Sequence, residues 1–272
     1  MRHYNNLVCV KKSQFKSIIA VGLLIWGISS VYYISNIEHV VKSLHGYSLC
    51  NIDFIFSFDI SSILQDTNFT YMINPLFCAC ALYLITINSR VVSVIRYSSK
   101  GDLWNNNFLL IILLSFVISV LLVFGTYLIG GIVLGNFSNT WHTNTGYFHK
   151  VYGNTNIWST LSETLTTTKI LFIIFVSTFI RLSMFGSIIN ILSIFIKQSY
   201  VFIVMISLVF IDYTNVCAFS PLKSQILKVD DIININNLII KNLCCVFVIG
   251  SIYILGKFFR IKKDQFIEKN NL

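Results

Sequence analysis

Charge is scarce in this sequence, and the common catalytic signatures are missing from it. Only 11% of its 272 residues are Asp, Glu, Lys or Arg, against 55% hydrophobic, and the mean hydropathy is +0.74. A soluble domain of this length does not need so much apolar material to fill one core, so the composition places the chain in a bilayer. HExxH, which would put two His and a Glu on one helix face around zinc, is absent, as are the G-x-S-x-G elbow and any pair of carboxylates within an apolar run. The phosphate-cradling GxxxxGK[ST] loop is missing too, so the chain has no such route to nucleotide hydrolysis on its own. It reads as a non-enzyme that binds no cofactor. No RNA- or DNA-binding motif accompanies the formal net charge of +9, which is therefore read through membrane topology.

Seven cysteines occur without the spacing of a disulfide framework or a zinc site. Cys78, Cys80, Cys244 and Cys245 sit in apolar runs, as small buried hydrophobes. Cys50 and Cys217 fall in segments read as outside, where a disulfide between them is open, and outside labelling should reach both but not Cys9. His142 and His149 lack an acidic or cysteine companion at ligand spacing, so they read as surface groups and no metal site is expected.

What the chain does contain is a succession of apolar runs. Residues 1–16, with Arg2, Lys11, Lys12 and Lys16, suit either a basic interfacial segment or a solvated tail. Spans are expected at about 18–35, 70–88, 108–130, 170–196, 200–212 and 237–256, the first being an uncleaved anchor. Gly131 and Gly135 form a GxxxG pair that would permit close helix approach. Arg181 creates a fork: if it marked a loop, the parity of every later segment would invert and the basic C-terminal residues would lie outside. One long fourth span avoids this. On a helical wheel its Ser183, Gly186, Ser187, Asn190, Ser193 and Lys197 share a face, with Arg181 opposite. With this parity 13 of the 20 Lys and Arg fall inside, in keeping with the positive-inside rule. The expected fold is an all-α polytopic membrane protein, 1–272 forming a single transmembrane domain of about six helices with N- and C-termini cytoplasmic, and 257–272 as a cytoplasmic tail.

The stretch SRVVSVIRYSSKGDLWNNN, Ser89 to Asn107, is then a cytoplasmic elbow between the second and third spans. Gly101 breaks the helix, Asp102 caps the next one, and Trp104 belongs at the headgroups. The layout of the whole chain, together with IRYSSKGDLW in this elbow, resembles the permease subunits of type-2 ABC exporters. Small Gram-positive permeases of bacteriocin or lantibiotic export and immunity are the nearest kind. The resemblance implies a separate cytoplasmic ATPase, carrying ATP and Mg, docked on a short helix between spans two and three. It also implies a second permease copy or homologue, contact with membrane lipid, no nucleic acid, and a bacterial plasma membrane. Arg90, Arg96, Tyr97, Lys100 and Trp104 would lie at that ATPase joint, although each also suits an ordinary basic flank.

Arg181, Ser187, Asn190 and Asp212 are the translocation-path candidates. A charge in mid-membrane is costly and is a functional candidate by default. Arg181 could network with Asp212 or Lys241, or be satisfied by backbone carbonyls. The runner-up function is a stand-alone membrane immunity or sensor protein that binds a peptide at its outside loops, and a membrane enzyme is third.

Overall fold

A computed structural model describes residues 12–43, 48–53, 55, 66–89, 99–152, 166–214 and 234–269; residues 12–15, 32–43, 66, 100, 150–152 and 262–269 are described as backbone only. Among them the chain is all-helical, with no strand beyond one isolated bridge between Ser48 and Gly146. Helix α1 is Lys12–Ser43. Helix α2 runs from Asp66–Asn68 through a π-turn, Phe69–Ile73, into Asn74–Asn88. The π-turn lies just before Pro75, whose ring would clash with the carbonyl four residues back in a regular α-turn. Helix α3 comprises Lys100–Val120, a second π-turn at Leu121–Gly125, and Thr126–Leu134. The short α4, Tyr147–Tyr152, precedes α5, Thr167–Phe195, then α6, Gln198–Tyr213, and α7, Ile235–Lys269.

Among the described residues four stretches are long and apolar enough to cross a membrane: Phe69–Asn88, Gly101–Leu134, Thr167–Phe195 and Ile235–Ile261. The expected first and fifth spans fall on shorter apolar stretches, Lys16–Val31 and Gln198–Tyr213. Arg181 lies within one unbroken helix, α5, rather than in a loop.

Helix α5 is the centre of the bundle, packed against α2, α3, α6 and α7. Residues 181–187 are all buried. Seven successive residues at ~100° each sweep the whole circumference, so this part of α5 has no outer face. Close approach needs a missing side chain: a Cβ on Gly186 would stand 2.4 Å from Ile111 Cγ2 on α3 and 3.2 Å from the Phe77 ring on α2. Helix α1 runs parallel to α3, with Gly22 against Val117 and Leu121 and Trp26 against Gly125.

Gly131 and Gly135 act differently from the expected helix-packing pair. Gly135 adopts φ 66° and ends α3 in the left-handed conformation, while Gly131 is covered by the Phe137 ring of the following loop. The pair therefore serves to stop α3 and fold the chain back over its own end.

Side-chain contacts define the two ends of the bundle. At one, Asn88 of α2 meets Asn107 of α3, Thr86 meets Gln198, and Phe195 packs edge-on against Phe259 with centroids 5.2 Å apart. Lys16, Lys197 and Lys257 are exposed there, making this the basic end. At the other, Tyr71 packs on Phe210 and Tyr213, and the loops around Cys50 and Trp141 form a cap.

Candidate functional site

A buried polar seam follows α5. Arg181, Ser183, Ser187 and Asn190 are each at most 2% exposed, and Ser177 and Thr178 extend the seam toward the cap. The Ser187 hydroxyl donates to the Ser183 carbonyl at 2.7 Å and Ser115 of α3 donates to Ile111 O at 2.9 Å, so these hydroxyls are satisfied within their own helices. Across helices, the Asn242 amide of α7 donates to Ser177 Oγ at 2.9 Å. From Ser177 to Asn190 the seam climbs about 20 Å, a large part of a ~30 Å hydrocarbon layer.

Of the four path candidates, the structure places Arg181, Ser187 and Asn190 in the seam, with Arg181 buried like the face it was expected to oppose. Asp212 is half-buried on α6. It lies at the same depth as Arg181, since each is ~14 residues from the tight α5–α6 turn at Ile196 and Lys197. Lys241 is exposed on α7.

The joint at the basic end departs from its expected form. Arg90, Arg96 and Tyr97 lie outside the described residues, and Lys100 is described only as the first residue of α3. Trp104 is 1% exposed: its indole Nε1 donates to the Tyr253 carbonyl at 3.1 Å and its ring fills the slot left by Gly256. The Tyr253 hydroxyl returns a bond to Asn105 Oδ1 at 2.9 Å, and Phe108 packs against the Tyr253 ring at 4.9 Å. The helix begins earlier than expected because its polar residues find partners; Asn106 and Asn107 are buried, with Asn88 donating to Asn107. The cap is Ser99, not Asp102: Ser99 Oγ accepts from Asp102 N at 3.1 Å and donates to the Asp102 carboxylate at 2.9 Å. Ser99 is thus the N-cap, its hydroxyl bonded to both the amide and the carboxylate of Asp102, and this puts Gly101 inside the first turn instead of at a break.

The cap at the far end carries a second polar centre. Asp53 is fully buried; its Oδ1 accepts from Trp141 Nε1 at 2.6 Å and its Oδ2 from Cys50 N at 2.8 Å. Trp141 stacks on Phe148 with centroids 4.5 Å apart and planes 8° from parallel. Ser48 N donates to Thr145 O at 2.7 Å, and Tyr147 N donates back to Ser48 O at 3.2 Å. Burial pushes the Asp53 carboxyl from its ordinary 3.8 up to about 6, even though both N–H donors favour the charged form. The Cys50 thiol is pushed up to about 12, by burial first and by the Asp53 charge second. Cys50 is a buried free thiol, not the accessible group expected of an outside loop, and Cys217 lies outside the described residues. His142 is exposed and His149 half-buried; among the described residues no three His, Cys, Asp or Glu gather as metal ligands.

Sequence reading found the seam through its small and polar residues. It missed the Asp53–Trp141 contact, since neither residue carries a local signal for a partner 88 positions away. No family model, curated protein or solved structure matches the chain.

Proposed function

We propose that this chain is the membrane-spanning permease subunit of an exporter, driven by a separate cytoplasmic ATPase and moving a peptide or lipid-like substrate outward. A role in antimicrobial-peptide export or self-immunity fits this reading. The observation that carries it is the central helix α5, which buries Arg181, Ser183, Ser187 and Asn190 among apolar neighbours. A buried charge in a bilayer is expensive, and stability alone is served better by apolar side chains of similar volume. The matching depths of Arg181 and Asp212 support a polar path across the bundle. In this reading six segments cross the membrane, α1 and α6 as the shorter ones, and the basic end faces the cytoplasm. Trp104 then ties the start of α3 to α7, so that a push on the elbow reaches a second helix. The absence of a nucleotide-binding loop in the sequence makes a partner ATPase the energy source.

The test is purification from the native membrane with the neighbouring reading frames intact. An ATPase subunit should co-purify, and Arg181→Leu should insert normally yet abolish transport or resistance. A chain that purifies alone, with no ATPase encoded beside it, would end this reading.

The packed cap supports a second reading, a stand-alone immunity or sensor protein that holds a peptide at its outer loops. Activity that survives Arg181→Leu but fails on removal of Trp141 would favour it.

A further inference from the structure

We propose that Asp53 is a proton-binding latch that fastens the lid at residues 136–149 to the loop at residues 48–53, closing the cap more tightly when it is protonated. This holds whether the chain is a transporter or a sensor. One side chain bonds both segments: Oδ1 takes the indole N–H of Trp141 in the lid, and Oδ2 takes the backbone N–H of Cys50 in its own loop. The Trp141 ring lies flat on Phe148, which continues into α4, so the indole cannot leave Asp53 without moving the lid. The bridge from Ser48 to Thr145 and Tyr147, and the contacts of Thr140 with Cys50 and Ser48, also tie the two segments.

The groups that face Asp53 are few. On its own loop stands the Cys50 thiol. From the lid comes Trp141; His142 and His149, the other titratable residues of the lid, are exposed and half-buried and are not among the groups that act on Asp53. Below, on α3, Tyr127 accepts the Asn51 amide on its carbonyl at 3.5 Å. Among the described residues no cation is paired with the Asp53 carboxylate, and its charge is held by the Cys50 backbone N–H, the Trp141 indole N–H and the Cys50 thiol. Burial outweighs them and lifts the group from 3.8 to about 6. An opened lid would restore water and the ordinary value.

Linkage then sets the direction. The closed lid holds the proton more tightly than the open one, so the closed-to-open ratio rises as pH falls from about 6 to about 4. The rise is close to tenfold per pH unit and roughly 100-fold in total, with little change outside that window. Stabilisation is fully present on the acid side and is lost as pH rises through it.

The experiment is amide hydrogen exchange on the full-length protein in phosphatidylcholine nanodiscs between pH 4 and 7.5, corrected for intrinsic exchange and read on peptides covering 48–53 and 136–149. Protection should climb about tenfold per unit below pH 6 in the parent chain and stay flat in Asp53→Asn. Trp141→Phe keeps the stacked ring but removes one donor to the carboxylate, so its transition should move to higher pH. Equal pH dependence in the parent chain and Asp53→Asn, or protection that grows with rising pH, would overturn the latch. If Asp53→Asn disorders the lid, Trp141→Phe decides: an upward shift upholds the proposal, and an unchanged or lowered transition sinks it.

Discussion

Gly256 and Gly250 sit on the same helix and could hardly differ more in what surrounds them. A Cβ at Gly256 would fall 2.1 Å from Trp104 Cζ2, whereas one at Gly250 meets nothing within 4 Å. Gly256→Ala should therefore displace the buried indole, costing about 1–3 kcal/mol as an overpacked contact. It should lower the thermal midpoint in micelles and red-shift tryptophan emission. Gly250→Ala should be neutral or stabilise by up to ~1 kcal/mol through helix propensity. Equal midpoints for the two variants would show that Trp104 is not keyed into α7. Cys50 makes a related case at the cap. Burial and a thiol pushed up to about 12 should leave it unlabelled by an impermeant maleimide at pH 7.5, while Trp141→Ala should expose it. Mass spectrometry of the 48–53 peptide reads the result directly. Hydropathy alone could not anticipate this, because a cysteine in a loop with Asp and Asn reads as wet until the lid that dries it is in place.

Elements were legible in proportion to how apolar they are. The uncharged run at residues 108–130 announced α3, yet the helix extends back to Lys100 and forward to Leu134. Polarity misled at the start: Asn105, Asn106 and Asn107 look like a loop, but Asn106 is buried and the amides of Asn105 and Asn107 are taken up by Tyr253 and Asn88, contacts that no local window contains. The pairing of α2 and α3 through Asn88 and Asn107 is measurable. Replacing either one alone with Leu leaves a buried amide facing an apolar group, which should cost about 1–3 kcal/mol. The double replacement should recover much of that loss, and a double-mutant cycle on thermal or denaturant midpoints gives the coupling. Additive losses would mean that the two amides stabilise their helices independently. Helix α5 was easier to read, since Ser, Gly and Asn at close spacing signal tight packing. That Arg181 shares the buried environment was not readable from a wheel, because a wheel presumes one outer face and α5 has none at that depth.

For the whole molecule the sequence supplied a charge asymmetry, and the fold supplies two physical ends on which to test it. Lys16, Lys197 and Lys257 emerge from α1, the α5–α6 turn and α7 at one end, although they are far apart in the chain. The cap with His142 lies at the other. A helical bundle brings these lysines together because each helix crosses roughly the same distance before turning, so alternate loops gather on alternate sides. If positive-inside bias sets the insertion, the basic end is retained in the cytoplasm and the cap is outside. Two exposed positions separate the possibilities: Ser199→Cys at the start of α6 and His142→Cys in the lid. In intact cells an impermeant maleimide should label His142→Cys above the parent chain and leave Ser199→Cys unlabelled until the membrane is opened. The reverse pattern would put the cap in the cytoplasm and take the proposed ATPase joint out of reach of ATP. Labelling of both in intact cells would mean that the ends do not lie on opposite sides of a bilayer, and the polar seam along α5 would then be packing rather than a path.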